Sequence, residues 1–186
     1  PGPDDYILTS SLLYGDIYVS KTDPDGKLLW CKQFGEAGGN LDGVPVATLD
    51  PAGNVYVSSL FHGAIDFDPG PEVFTLVSDD ADVFILKLSK DGDFRWAGQI
   101  GGNENDVPND IAVDATGNVY SAGNFTSAAD FDPGDNTYIL GDQTTFQYHY
   151  YISKWDSSGA FVWAKLIEFA LSGIDVESSG NIFMNG

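Results

Sequence analysis

Apolar and polar positions alternate with period two through short stretches of this chain, and the stretches recur. Asp16 to Trp30 (DIYVSKTDPDGKLLW), Asp82 to Trp96 (DVFILKLSKDGDFRW) and His149 to Trp163 (HYYISKWDSSGAFVW) align without a gap. In the first half of each block one face carries Ile17, Val19 and Lys21, matched by Val83, Ile85 and Lys87 and by Tyr150, Ile152 and Lys154. The other face carries Tyr18, Phe84 and Tyr151. The second half places Leu28, Trp30 and Phe34 together, then Phe94, Trp96 and Ile100, then Phe161, Trp163 and Ile167. Each block predicts an antiparallel hairpin, and apolar residues on both faces predict a sheet covered on both sides. A second block, Asp50 to Phe61 (DPAGNVYVSSLF), returns at Asp114 to Phe125 (DATGNVYSAGNF) and, shortened, at Glu177 to Gly186 (ESSGNIFMNG).

Glycines mark the reversals. Gly26, Gly92 and Gly159 in the first hairpin, and Gly53, Gly117 and Gly180 in the second, are free to take the positive φ that tight turns require. The repeat distance is 63 to 67 residues, with four short strands per repeat of the type Ala47 to Asp50, Val55 to Leu60, Asp16 to Thr22 and Leu28 to Phe34. No helix is predicted. Small sheets that are apolar on both faces and repeat in tandem stack radially as propeller blades. The expected fold is therefore all-β, with β-propeller blades of about four antiparallel strands in roughly three repeats, forming an incomplete ring. Trp30, Trp96 and Trp163 are expected as wedges between blades, each able to bury about 150 to 250 Å². The alternative is a β-solenoid, whose coils are usually shorter and lack paired hairpin turns. The chain reads as a single array over residues 1–186, with repeats at approximately 1–68, 69–132 and 133–186, the last one truncated.

The run from Asp82 to Gly134, with its Gly-Asn-Val-Tyr turn, Gly-x-x-x-Trp hairpin and Asp-Phe-Asp-Pro-Gly loop, resembles the bacterial β-propeller repeat family called SBBP. That family is common in large secreted proteins of Bacteroidota. The resemblance implies a propeller, export from the cell and, often, attachment at the surface. It implies no enzyme. The third copy departs from the pattern, because Glu168 to Ser172 replaces the Gly-rich loop at Gly101 to Asn109 and Glu177 replaces the turn Asp.

Charge narrows the partners. With 28 acidic residues against 8 basic ones, a net charge of −20 repels nucleic acid and anionic lipid. No apolar run has the length of a membrane helix, so membrane insertion is not expected. The one cysteine, Cys31, excludes an internal disulfide and has Ala97 and Ala164 as repeat counterparts, so it is expected to fill a small packed site. An extracellular or cell-surface location is expected.

The candidate chemistry lies in the Asp-Phe-Asp-Pro-Gly loops. Residues i and i+2 of an extended segment project the same way, so Asp66 with Asp68, and Asp130 with Asp132, present paired carboxylates suited to Ca²⁺. The plainer reading has these carboxylates accept hydrogen bonds from the turn's own N–H groups, and it is the one favoured. No other cofactor is expected. Lys21, Lys87 and Lys154 are expected to pair with neighbouring carboxylates or to snorkel. His62 and His149 lack metal-ligand spacing, and the Ser pairs at Ser10, Ser58 and Ser157 lack a nucleophile-elbow context. No catalytic residue is expected.

Fewer than three repeats fall short of the about four to eight blades that close a ring. Pro1-Gly2-Pro3 reads like Pro69-Gly70-Pro71, so the chain opens out of phase. The missing blades are expected either from a longer chain, which is favoured, or from self-association. In the second case the Pro1-to-Trp30 hairpin of one copy completes the blade begun by Gly173 to Gly186 of another. The function expected is a noncatalytic scaffold or an adhesion and ligand-binding module of an exported protein, with a protein or carbohydrate partner at the cell surface. The alternatives are a blade set of an extracellular glycan-acting or quinoprotein-like enzyme, and a calcium-stabilised structural repeat of a surface assembly.

Overall fold

A computed structural model describes residues 8–9, 15–35, 39–41 and 43–186. The Pro1-Gly2-Pro3 phase marker and the Ser10-Ser11 pair lie outside them. Among the described residues there are only strands and connections. β1 (Ile17–Thr22) and β2 (Leu28–Phe34) form one antiparallel hairpin. β3 (Val46–Leu49), β4 (Val55–Asp66), β5 (Thr75–Leu88) and β6 (Phe94–Gly102) form a complete blade in chain order. β7 (Asp106–Val113) and β8 (Val119–Thr126) begin the next blade. The chain then detours through β9 (Ala128–Asp130) and β10 (Ile139–Gly141) before β11 (Tyr148–Trp155) and β12 (Phe161–Ile167) complete it. β13 (Gly173–Val176) and β14 (Ile182–Asn185) form a last hairpin.

The pairings within these sheets are antiparallel, which is the blade pattern and not a parallel solenoid. β7 packs against β3 and β4 on one side and against β13 on the other, so the first strands of successive blades are neighbours. The fold is thus an incomplete β-propeller. β9 leaves its own blade and pairs with β6 of the preceding one, matching Gly101 to Asp130 and Gly102 to Ala129, which ties the two blades through the backbone.

All six turn glycines have positive φ, between 81° and 89°. In the hairpin turns of β1–β2, β5–β6 and β11–β12 the pairing register shifts by a residue at Lys21/Thr22, Lys87/Leu88 and Lys154/Trp155. A left-handed glycine after a tight turn produces such a bulge. The Asp that opens each turn stabilises it. Asp50 Oδ1 accepts from the N–H groups of Ala52 and Asn54, both at 2.9 Å, and Asp114 repeats this with Thr116 at 2.9 Å and Asn118 at 3.0 Å. Glu177 keeps the same turn by accepting from Ser179 Oγ and Asn181 Nδ2. The longer side chain therefore leaves the turn of the last copy intact.

Three apolar clusters lie between adjacent blades. Ile17, Phe34, Val57, Phe61, Phe67 and Phe84 fill the first, Tyr56, Ile85, Phe125, Phe131, Tyr151 and Trp155 the second, and Tyr120, Ala122, Leu171 and Ile174 the third. Trp30, Trp96 and Trp163 are the expected wedges, and Trp96 does pack across a blade boundary, 6.0 Å from Trp155 of the next blade. All three are only half-buried, and the Trp that is fully buried is Trp155. The middle residue of each Asp-Phe-Asp loop, Phe67 or Phe131, is wholly buried and belongs to one of these clusters. Phe67 lies 5.6 Å from Phe61 and 4.7 Å from Phe84, and Phe131 lies 5.5 Å from Phe125 and 4.9 Å from Tyr151, ring centre to ring centre. Truncating such a residue to Ala typically costs about 3 to 5 kcal/mol.

Candidate functional site

Two kinds of repeated polar device stand at the blade boundaries. The first is a latch. Trp30, on β2, donates its indole N–H to the Lys90 carbonyl in the turn of the next blade at 3.2 Å, and Lys21 Nζ donates to the same oxygen at 2.9 Å. One repeat later Trp96 Nε1 and Lys87 Nζ converge on the Ser157 carbonyl, at 3.2 and 2.9 Å. The turn glycine makes room for the indole. A Cβ on Gly92 would stand 3.1 Å from a ring carbon of Trp30, and one on Gly159 only 2.7 Å from Trp96. The ammonium of Lys87 also lies 5.0 Å above the Tyr56 ring, and burial lowers its pKa.

The lysines are therefore structural, as expected, but the partner of Lys21 and Lys87 is a backbone carbonyl and not a carboxylate. Lys154, the third copy, stands 4.0 Å from Asp114 Oδ2 and 4.8 Å above Tyr120. Trp163 packs edge-on to Tyr120 at 6.3 Å. Among the described residues no turn carbonyl receives its indole.

The second device is the Asp-Phe-Asp-Pro-Gly loop. Asp66 Oδ1 accepts from Asp68 N at 3.0 Å and from Phe74 N at 2.9 Å, and Asp68 Oδ1 accepts from Gly70 N at 2.7 Å. Asp130 and Asp132 repeat these contacts with Asp132 N, Tyr138 N and Gly134 N at 3.1, 2.8 and 2.9 Å. The loop holds itself, and it holds its Phe inward. Among the described residues no group of three or more His, Cys, Asp or Glu side chains is gathered at metal-binding range.

The Asp-Phe-Asp-Pro-Gly loops border two open grooves, and latch residues line the first of them. One, of about 440 Å³, is lined by Trp96, Asp132, Pro133, Gly134, Gly159 and Phe161 among others. The other, of about 400 Å³, is lined by Cys31, Lys32, Gln33, Asp66, Asp68 and Gly70 among others. Cys31 is half-buried at this groove and not sealed in a packed site, and burial raises its thiol pKa. The first groove thus combines an indole, a Pro ring and a carboxylate.

Two buried carboxylates were not singled out by sequence reasoning. Asp82 accepts from Gln99 Nε2, and burial raises its pKa to about 6. Asp106 accepts from Gly102 N at 3.1 Å, and burial, with the charge of Asp82, raises it to about 8. Neither lines either groove. His149 replaces Asp82 in the third copy and stacks on Phe125 at 5.1 Å, while His62 forms a backbone bridge to Asn40. The Lys–Trp latch was legible in principle, since Lys and Trp recur nine residues apart three times. Its shared acceptor was not, because that carbonyl belongs to the following repeat.

A family model described as SBBP, a beta-propeller repeat, matches residues 95–132. No curated protein sequence matches the chain.

Proposed function

Since residues 95–132 are an SBBP-type β-propeller repeat, we propose that this chain is a noncatalytic propeller segment of an exported or cell-surface protein, serving as scaffold and binding module. The observation that carries this reading is the use of the repeated polar residues. Lys21, Lys87, Trp30 and Trp96 fasten blade to blade, and Asp66, Asp68, Asp130 and Asp132 fasten their own loops. A repeat selected for chemistry would keep polar groups aimed at solvent or at a shared cleft. The groove with Trp96, Pro133 and Asp132 in its lining is the surface this reading offers for recognition. A protein or carbohydrate at the cell surface is the partner this lining fits, and the net charge of −20 disfavours nucleic acid.

The test combines localisation with binding. Fractionation of the native host should find the protein outside the cytoplasm, and recovery from the cytoplasm alone rejects export. A glycan array and a panel of surface-protein ligands should give binding that Asp132→Ala and Trp96→Ala weaken. Turnover of a glycan or of a quinone-linked alcohol by the purified chain would replace this reading with the enzymatic one.

A further inference from the structure

One polar set at a blade boundary serves neither the loops nor the latch. Asp82 on β5 and Asp106 at the start of β7, in the next blade, are only 3% and 0% exposed. They gather at the N–H of Gly102, which donates to Asp106 Oδ2 at 3.1 Å and also to the Asp82 carboxylate. The bare Cα of Gly101 permits this approach, because a Cβ there would clash with both oxygens of Asp82. Gln99 Nε2 donates to Asp82 Oδ2, the Thr126 N–H also faces Asp106, and the Ser78 hydroxyl near Asp82 donates to the Asp80 carbonyl. One oxygen is left over on each side. Asp82 Oδ1 and Asp106 Oδ1 are both buried and have no hydrogen-bond partner. The other charges that reach the pair, Asp80 and Glu104, are negative as well. Two carboxylates sealed together in this way need a proton or a cation between them.

The repeats keep or lose the set as a whole. One repeat earlier Asp16 takes the place of Asp82, and Gln33 Nε2, the counterpart of Gln99, donates to its Oδ2 at 2.6 Å. Gly35 leaves room for Asp16 as Gly101 does for Asp82, and Asp16 Oδ1 is again buried without a partner. Asp42 holds the sequence position of Asp106 and lies outside the described residues. In the third copy His149, Leu166 and Phe169 replace Asp82, Gln99 and Asp106 together. An acid that served only its own strand would not have to disappear along with the one across the boundary.

We propose that Asp82 and Asp106 hold a divalent cation of the calcium class between the two blades, each through its Oδ1. Backbone carbonyls and water supply the remaining oxygens that such an ion takes. With ligands at about 2.3 to 2.6 Å, Ca²⁺ spans about 5 Å between opposite oxygens, a separation open to two carboxylates gathered at one N–H. The ion removes the repulsion between the buried acids and ties β5 to β7 across the boundary. This site is distinct from the Asp-Phe-Asp-Pro-Gly loops, where turn N–H groups already occupy Asp66, Asp68, Asp130 and Asp132.

Equilibrium dialysis counts the ions. The chain is stripped with EDTA and dialysed against calcium chloride at about pH 8.5 in about 0.15 M sodium chloride, which screens loose attraction to the acidic surface. The number of ions bound per chain should fall by one in Asp106→Asn and by one in Asp82→Asn, while Asp132→Ala keeps the wild-type number. At a calcium concentration about 100-fold above the Kd, the melting temperature of the wild type should rise by about 5 °C more than that of Asp106→Asn. Asp106→Asn preserves shape and removes a buried charge, so circular dichroism should show the fold retained, and Asp82→Asn gives an independent reading. No bound ion in the wild type at millimolar calcium overturns the proposal, and so does an unchanged number in the two Asn variants. An ion lost in Asp132→Ala but kept in Asp106→Asn would belong to the loop and also overturns it.

Discussion

At Gly159 two constraints meet, a backbone φ of 89° and an indole packed against the bare Cα. Gly53 has only the first, with φ of 83° and its nearest neighbour, Lys90 Cβ, at an ordinary 3.5 Å. An L side chain in the left-handed region costs roughly 1 to 2 kcal/mol, so Gly53→Ala should lose about that much. Gly159→Ala should lose at least about 1 kcal/mol more, because the methyl must displace Trp96. Urea denaturation of the two variants measures the difference, and equal losses would show that the latch contact adds nothing. Asp106 sets a pH dependence. Its folded pKa, about 8, and that of Asp82, about 6, lie above the ordinary 3.8, so the folded chain holds protons that the unfolded chain releases. Their contribution is full below pH 3.8 and declines as pH rises through about 6 and about 8. Asp114, held at about 2 by its turn hydrogen bonds against the opposing effect of burial, contributes in the opposite sense and is lost as pH falls through about 2. In EDTA, stability should therefore be greater at pH 4.5 than at pH 8.5, and Asp106→Asn should raise it at the higher pH by about 1 to 3 kcal/mol. Equal wild-type stability at the two values would contradict this.

Among the elements, the Asp-Phe-Asp-Pro-Gly hairpin carries the closest link between sequence and packing. Pro and the capping carboxylates fix the bend, the bend turns Phe67 or Phe131 inward, and the buried ring enters the apolar cluster at a blade boundary. Asp130→Ala should remove the acceptor for Asp132 N and Tyr138 N and cost about 1 to 2 kcal/mol in thermal or urea melts. Because these oxygens already serve the loop, millimolar calcium should raise the melting temperatures of this variant and of the wild type by amounts within about 1 °C of each other, and a clearly smaller rise in the variant would identify a cation site at the loop. The strands and turns of this element were legible in the sequence, since period-two alternation and turn glycines act locally. The direction of Phe67 and the exposure of Trp30 were not, because both depend on which blade lies opposite. Cys31 was misplaced for the same reason: Ala97 and Ala164 show that the position is small, but not that it opens on a groove. Asp82 and Asp106 stayed hidden because nothing local distinguishes a buried acid from the many exposed ones. Their proximity arises only when β5 and β7 pack against each other.

For the whole molecule the dominant electrostatic fact is excess negative charge. Eight basic residues face 28 acidic ones, and the described side chains make only two ion pairs, Lys90 with Asp91 at 3.0 Å and Lys154 with Asp114 at 4.0 Å. The first of these is exposed and contributes little. Net repulsion at a charge of −20 therefore opposes compaction. Salt screens repulsion over a Debye length of about 30 Å at 0.01 M but only about 3 Å at 1 M. Between about 0.02 and 0.5 M sodium chloride the melting temperature should rise. Replacing sodium chloride with an equal ionic strength of potassium chloride should reproduce the rise, since screening does not depend on the identity of the cation. A fall with added salt would mean that attractive pairs hold the blades together, contrary to the latch of neutral carbonyls and buried rings described above.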